Sequence, residues 1–265
     1  MATANLHELT TFAGLLAETA GTVLRRHFRS GHAVEDKADD SPVTIADRET
    51  EQALRDAILQ RYPQHGVRGE ELGHINSDAE YVWVLDPIDG TRSFITGKPL
   101  FTTLIGLVHR GEAVLGVIDQ PITRERWVGA SGRPTTFNGT PCRVRPRAAL
   151  ADATLFTTGA VSATRPTWCS ERERGALDRL IDGTKLTQYS TDGYAFGLLA
   201  SGFADLVAEC GMEPHDFCAA IPVVRGAGGV IGDWAGMPLD CGRKGHVLAA
   251  ASPALLTAAA GVLQR

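Results

Sequence analysis

Apolar residues Leu6, Leu9, Phe12, Leu15, Leu16, Val23, Leu24 and Phe28 return at helical spacing and predict a first amphipathic helix, with Gly31 as its stop. The run DKADDSPVT is polar and turn-rich. Thr44 then opens a second helix that reaches about Tyr62, and Pro63 ends it. Beyond Gly66 the period changes. YVWVLD (81–86) is a short unbroken apolar run that predicts a buried strand, while TTLIGLVHR (102–110) and AVLGVIDQ (113–120) predict a hairpin. RERWVGA and the Asn138-Gly139 turn extend the β character. From about residue 150 the pattern alternates. It reads as strand ATLFTT, a helix near 170–181, strand LTQY, a helix over 193–201, strand ADLVAE, a helix from 216, strands GGVIGDW and HVLAAA, and a last Ala/Leu-rich helix. The prediction is an α/β fold with helices covering its sheets. An α+β half over 1–150 would join an α/β half over 151–265 without a flexible linker.

Composition narrows the function classes. A chain of 265 residues with 43% hydrophobic and 22% charged residues can bury a core that needs no metal or disulfide staples. The net charge of −5 argues against a nucleic-acid partner held by a basic surface. No apolar run approaches a membrane span, and the N-terminus lacks the charged and apolar regions of a signal peptide, so neither a membrane partner nor export is expected. Five cysteines without a CxxC pair predict neither a disulfide scaffold nor a zinc ribbon, and a reducing, cytoplasmic setting is the expectation.

Candidate chemistry concentrates where the apolar strand stops, at Asp86-Pro87-Ile88-Asp89-Gly90-Thr91. Two carboxylates three apart in a tight turn can converge on one point, and strand ends are where α/β proteins place ligands. Pro87 cannot continue a central strand, and Gly90 permits a sharp turn. A helix starting at Thr91 would aim free N–H groups at an anion; the same residues also suit a turn in which Asp caps a helix. Gly69-Glu70-Glu71 and Glu213-Pro214-His215-Asp216 add acidic turns upstream and downstream. Oxygen-rich clusters of this kind suit Mg²⁺ rather than zinc.

GEE, DPIDGTRSF and HDFCAA, in this order and separation, resemble the metal-site signatures of the inositol monophosphatase superfamily, and the resemblance covers essentially the whole chain. Within it, DGTRSFITGKPLFTTLIGL, GVIDQPITRERWVG, LLASGFADLVAE and DFCAAIPVVRGAGGVIGDW are most similar to the histidinol-phosphatase group. Inositol monophosphatases more often read DGTTNF, so Arg92 and Ser93 depart from them.

The resemblance implies a layered αβαβα sugar-phosphatase fold, two or three Mg²⁺ ions and a homodimer. Carried over by position, Glu70, Asp86 and the Ile88 carbonyl would hold one ion, and Asp86, Asp89 and Asp216 a second, with Asp86 shared. A third ion would sit by Glu70. Thr91, with Glu70 or Asp47, would orient the attacking water, and the N–H groups of Gly90 and Thr91 would hold phosphate oxygens. Asp47 also fits a capping pattern after Thr44, and the two roles can coexist.

The implied activity is hydrolysis of a small phosphate monoester, L-histidinol phosphate in histidine biosynthesis. Inositol 1-phosphate, or a wider set of nucleotide and sugar phosphates, is the alternative within enzymes, and a regulatory binding protein the alternative outside them. Histidinol phosphate carries an ammonium and an imidazole, so its site needs carboxylates away from the metals; Glu209 and Asp192 stand at matching positions. Asp192 also suits an N-cap. Arg92, Ser93 and Lys98 read equally as substrate contacts, dimer contacts or exposed residues, Lys37 as a lysine near the metals or a solvated one, and His215 as a helix-start or packing residue. Asp47, Glu70, Asp86, Asp89 and Asp216 together carry −5 when ionised, so the rest of the chain balances to zero.

Overall fold

A computed structural model of the chain describes residues 6–30, 34–36, 42–158 and 169–265; Gly31 and Lys37 lie outside them. The first part runs α1 (Leu6–His27), β1 (Val34–Asp36), β2 (Pro42–Thr44), α2 (Ile45–Arg61), β3 (Gly66–Gly69), β4 (His74–Ile75), β5 (Tyr81–Asp89) and α3 (Thr91–Ile95). The chain continues through β6 (Thr102–His109), β7 (Glu112–Gln120), β8 (Glu125–Ala130), β9 (Thr136–Phe137) and β10 (Thr140–Pro141). After a single 3-10 turn come β11 (Thr154–Thr157), α4 (Glu171–Asp182), β12 (Leu186–Tyr189), α5 (Tyr194–Ala200) and β13 (Leu206–Met212). The last elements are α6 (Pro214–Phe217), α7 (Ala220–Gly226), β14 (Val230–Gly232), β15 (Gly245–Ala250) and α8 (Pro253–Leu263).

Two mixed sheets result. The larger has the order β10-β9-β8-β7-β6-β5-β3-β4, antiparallel apart from β3 beside β5. The smaller has the order β12-β11-β13-β15-β14, with β11 parallel to both neighbours. One apolar cluster packs α1 and α2 on the outer face of the larger sheet, around Leu16, Leu54, Trp83 and Leu115. A second fills the space between the sheets, joining Val84, Leu104 and Trp127 to Phe196, Phe217, Val223 and Val247. A third packs α4 and α8 on the outer face of the smaller sheet. The layers are therefore helix, sheet, helix, sheet, helix. Both halves of the chain contribute to the middle core, each buried Leu, Val or Phe stabilising by ~1.5–3 kcal/mol.

The central layer seats directly on glycines. A Cβ at Gly116 would lie 2.7 Å from the carbonyl carbon of Ala219, and one at Gly129 would overlap the Pro222 backbone. At Gly106 it would meet Cys218 Cβ at 3.1 Å. The backbone entering α7 thus rests on the backbones of β6, β7 and β8, three residues after Asp216.

Three details differ from the sequence reading. Strand β5 does not stop at Asp86 but continues to Asp89 through a register shift against β6, with Pro87 at the irregular position where no ladder N–H is needed. The helix expected from 216 is instead the short α6, begun by Pro214, and then α7, so Asp216 sits inside a helix. Cys169 and Cys210 are paired as a disulfide with Cα atoms 5.9 Å apart, a departure from the expected reduced chain. They are 41 residues apart in sequence, so only the packing of the α4 approach on β13 brings them together. Among the described residues, no helix is long and apolar enough to cross a membrane.

Candidate metal centre and substrate cleft

The bulge in β5 creates the centre. Asp86 Oδ1 accepts the Ile88 N–H at 3.0 Å, and Thr103 Oγ1 donates to the Pro87 carbonyl at 2.8 Å, which fixes the irregular turn. Gly90 then takes φ 88°, where a side chain would be strained and its Cβ would also lie 2.8 Å from Asp192 Oδ2. Helix α3 starts immediately afterwards, and Thr91 Oγ1 donates to the Ile88 carbonyl at 3.1 Å. The carbonyl expected to serve as a ligand is therefore already held in orientation by the predicted water-orienting residue.

Two groups of donor atoms overlap at Asp86. Carboxylate oxygens of Asp86, Asp89 and Asp216 lie within 4.8 Å of one another, as do donor atoms of Glu70, Asp86 and His215. Asp89 Oδ2 accepts the Gly193 N–H at the start of α5 and, at 3.4 Å, the Thr102 hydroxyl. Asp216 reaches the cluster from α6, where its Oδ2 accepts the Glu213 N–H at 2.7 Å. His215, read from sequence as a helix-start or packing residue, is indeed at a helix start, yet its Nε2 is 3.2 Å from Asp216 Oδ1.

Crowded carboxylates resist ionisation. Burial pushes the Asp86 carboxyl well up, and Glu70, Asp89 and Asp216 add repulsion. Burial also raises Asp89, helped by Asp192 and Asp216, and takes Asp216 to about 6 against the pull of His215. Asp47 is pushed up to about 7 by burial, with smaller contributions from Glu71 and Glu70. It does cap α2, since its Oδ2 accepts both the N–H and the hydroxyl of Thr44 at 2.7 Å. Its Oδ1, however, is buried with no hydrogen-bond partner among the described residues. Converging hard oxygen donors and an orphaned Asp47 carboxylate oxygen that feels the charge of Glu70 fit divalent cations such as Mg²⁺.

Two further carboxylates, Asp192 and Glu209, lie toward the smaller sheet, close enough for Asp192 to raise Asp89. Glu209, 5% exposed on β13, accepts the Thr158 N–H at 2.7 Å, and Thr158 Oγ1 donates to Asp192 Oδ1 at 3.3 Å. Burial raises the Glu209 carboxyl well above its usual range, and Asp192 adds to it. Asp192 is itself raised by burial, while Thr158 and Arg92 pull it down. Asp192 precedes α5 without capping it by a side-chain hydrogen bond. Arg92 and Lys98 are exposed, whereas Ser93 is buried, which removes Ser93 from the exposed contacts considered above.

Sequence reasoning missed the residues that hold these groups. Thr158 and the Gly193 N–H are fixed by tertiary contacts. Glu51 and Arg55 form a buried ion pair behind the Glu70 turn. Their signal was present as two charges on what should be a helix face turned to the core, at the same register as Asp47.

Comparison with known proteins gives a consistent picture. The profile of the Inositol monophosphatase family matches residues 5–265. A bifunctional phosphatase, IMPL2, from Arabidopsis thaliana, described as chloroplastic, is 49% identical over 234 residues, which are 86% of this chain and 66% of that protein. A histidinol-phosphatase from Chlorobaculum parvum is 36% identical over 83% of this chain and 84% of its own. Among solved structures, an inositol monophosphatase from Zymomonas mobilis superposes with a TM-score of 0.88 at 40% identity, covering 99% of this chain and 100% of that one.

Proposed function

The chain belongs to the inositol monophosphatase family, a family of metal-dependent phosphatases, and on that premise we propose that it hydrolyses L-histidinol phosphate to L-histidinol and inorganic phosphate. The observation that carries the phosphatase reading is the pair of donor groups meeting at Asp86. By the family resemblance Glu70, Asp86 and the Ile88 carbonyl would hold one Mg²⁺, and a third would lie by Glu70; Asp86, Asp89 and Asp216, whose oxygens converge, would hold a second. When bound, the ions supply neutralisation of phosphoryl charge and a more acidic water.

The chain's own residues do the positioning that phosphoryl transfer requires. Thr91, anchored on Ile88, orients the water together with Asp47 or Glu70, whose ionised carboxylate takes its proton. The N–H groups of Gly90 and Thr91 receive phosphate oxygens at the start of α3. The water oxygen bonds to phosphorus as the ester P–O bond breaks, and the proton given up by that water passes to the leaving alkoxide, which departs as the alcohol. No covalent enzyme intermediate is needed.

Specificity is assigned to Glu209 and Asp192, whose carboxylates lie beyond the metal ligands and suit the ammonium or imidazole end of the substrate. The likeness to an inositol monophosphatase supports a second reading, preference for inositol 1-phosphate, in which these acids would accept hydroxyl protons. A homodimer belongs to the proposal through the family resemblance. The test is phosphate release from histidinol phosphate, inositol 1-phosphate and adenosine 3′,5′-bisphosphate, with Mg²⁺ and then with chelator. Metal-dependent release with histidinol phosphate preferred is expected. Preference for the inositol ester would overturn the substrate alone, and no release from any ester would overturn the enzyme.

A further inference from the structure

Helix α2 presents Asp47, Glu51 and Arg55 at successive turns along one face, and that face is turned inward. Three charged side chains in a buried stripe demand an explanation, because apolar residues of similar volume would stabilise such a position as well or better. Glu51 is fully buried and Arg55 is 4% exposed; Arg55 Nε lies 2.8 Å from Glu51 Oε1. The pair does not merely satisfy itself. Glu51 Oε2 accepts the Glu71 N–H at 2.7 Å, and its Oε1 accepts the Leu72 N–H at 3.0 Å. The Arg55 guanidinium donates onward to the Gly73 carbonyl.

These contacts clamp one short turn from behind, and that turn carries Glu70. Its ends close on each other through Gly69 N–H donating to the Gly73 carbonyl at 3.2 Å, with Gly73 at φ 74°. A Cβ at Gly69 would overlap the Glu51 carboxylate, so the turn lies against the acid at backbone distance. A carboxylate with two fixed acceptors can hold two successive N–H groups in a way no apolar side chain can. We propose that the Glu51–Arg55 ion pair is a positioning element for the metal centre: it sets the direction of Glu70 and thereby the affinity for the ion that Glu70 helps hold. The proposal rests on the reading of Glu70 as a ligand.

Removing an outer partner of a ligand weakens metal affinity about 10- to 100-fold. The test measures Mg²⁺ dissociation constants by calorimetry on the full chain for wild type, Glu51→Gln, Arg55→Gln, Arg55→Lys and Glu70→Gln, with melting of the metal-free proteins alongside. Glu51→Gln should weaken Mg²⁺ binding about tenfold or more. Arg55→Gln separates positioning from bulk charge. Loss of a positive charge alone would tighten cation binding, whereas loss of the clamp weakens it. Arg55→Lys, which keeps the charge and folds under milder demands, should recover part of the affinity. If Glu70→Gln weakens binding while the folded Glu51 and Arg55 variants bind like wild type, the positioning role is overturned and the ligand reading stands. Tighter binding in Arg55→Gln overturns it as well. Unchanged binding in Glu70→Gln overturns the ligand reading beneath it.

Discussion

Asp86 and Asp89 reach the cleft from one bulged strand end, so four residues of sequence deliver two converging carboxylates. At the other end, Asp192 comes from the flank of α5 and Glu209 from the middle of β13, and Thr158 bridges them from the end of a third element. The first pair is delivered by local backbone geometry, with the Gly193 N–H of α5 added to Asp89 from a distance. The second exists only when the smaller sheet, α5 and the β11 loop are assembled. Local construction suits groups that would share ions at fixed separations, while distributed construction would let the proposed substrate end diverge without disturbing them.

Breaking the local end should cost most. Asp86→Asn removes the charge of the residue common to both donor groups, and kcat should fall by about a thousandfold, with Mg²⁺ binding weakened in calorimetry. The distributed end should yield a different signature. Glu209→Gln should raise KM for histidinol phosphate by about 10- to 100-fold, as loss of one charge-assisted contact does, and leave KM for inositol 1-phosphate near wild type. Equal effects on both esters would erase the distinction between the two ends. Gly116→Ala, which drives a Cβ into the Ala219 backbone, should cost about 1–3 kcal/mol in denaturant unfolding. Because Asp216 lies three residues before Ala219 in that seam, the residual loss should appear in metal affinity rather than in KM.

The smallest effect is a pH profile. Asp47 has its carboxyl raised from the ordinary 3.8 to about 7, so the folded chain holds a proton that the unfolded chain has released. Stability of the metal-free protein should therefore fall as pH rises from about 4 to 7, visible as a declining Tm. Saturating Mg²⁺ should flatten the decline. Asp205 supplies the opposite sign, because hydrogen bonds and charge from Arg145 overcome its burial and hold its carboxyl below the usual range. Arg145→Gln should remove stability present at neutral pH and lost on acidification. A metal-free Tm that rises from pH 5 to 7 would contradict the account of the crowded cleft.

The same contrast explains what the sequence could disclose. Apolar patterning was enough for α1 and the β6–β7 hairpin, whose buried faces are apolar, while α2 was legible from its Thr44 start and Pro63 stop. The Asp86–Thr91 turn was legible for the same reason: its carboxylates, proline and glycine act within six residues. The extension of β5 past Pro87 was not, since a bulge is defined by its neighbour β6. Asp216 was placed near a helix start, but Pro214 set that start two residues earlier. Glu51 and Arg55 carried a signal in sharing the helix register of Asp47, but the Glu70 turn that covers them is set by tertiary packing. Cys169 and Cys210 were likewise joined by packing alone.

The glycine seam under α7 has a mechanical consequence. Where side chains meet, a rotamer change can absorb an error of an ångström; where main chain rests on main chain at Gly116 and Gly129, nothing remains to yield. The spacing between the larger sheet and the segment bearing Asp216 is thereby gauged by bare backbone thickness, the least variable dimension a polypeptide possesses. Side-chain drift elsewhere in the middle layer can proceed without altering that gauge.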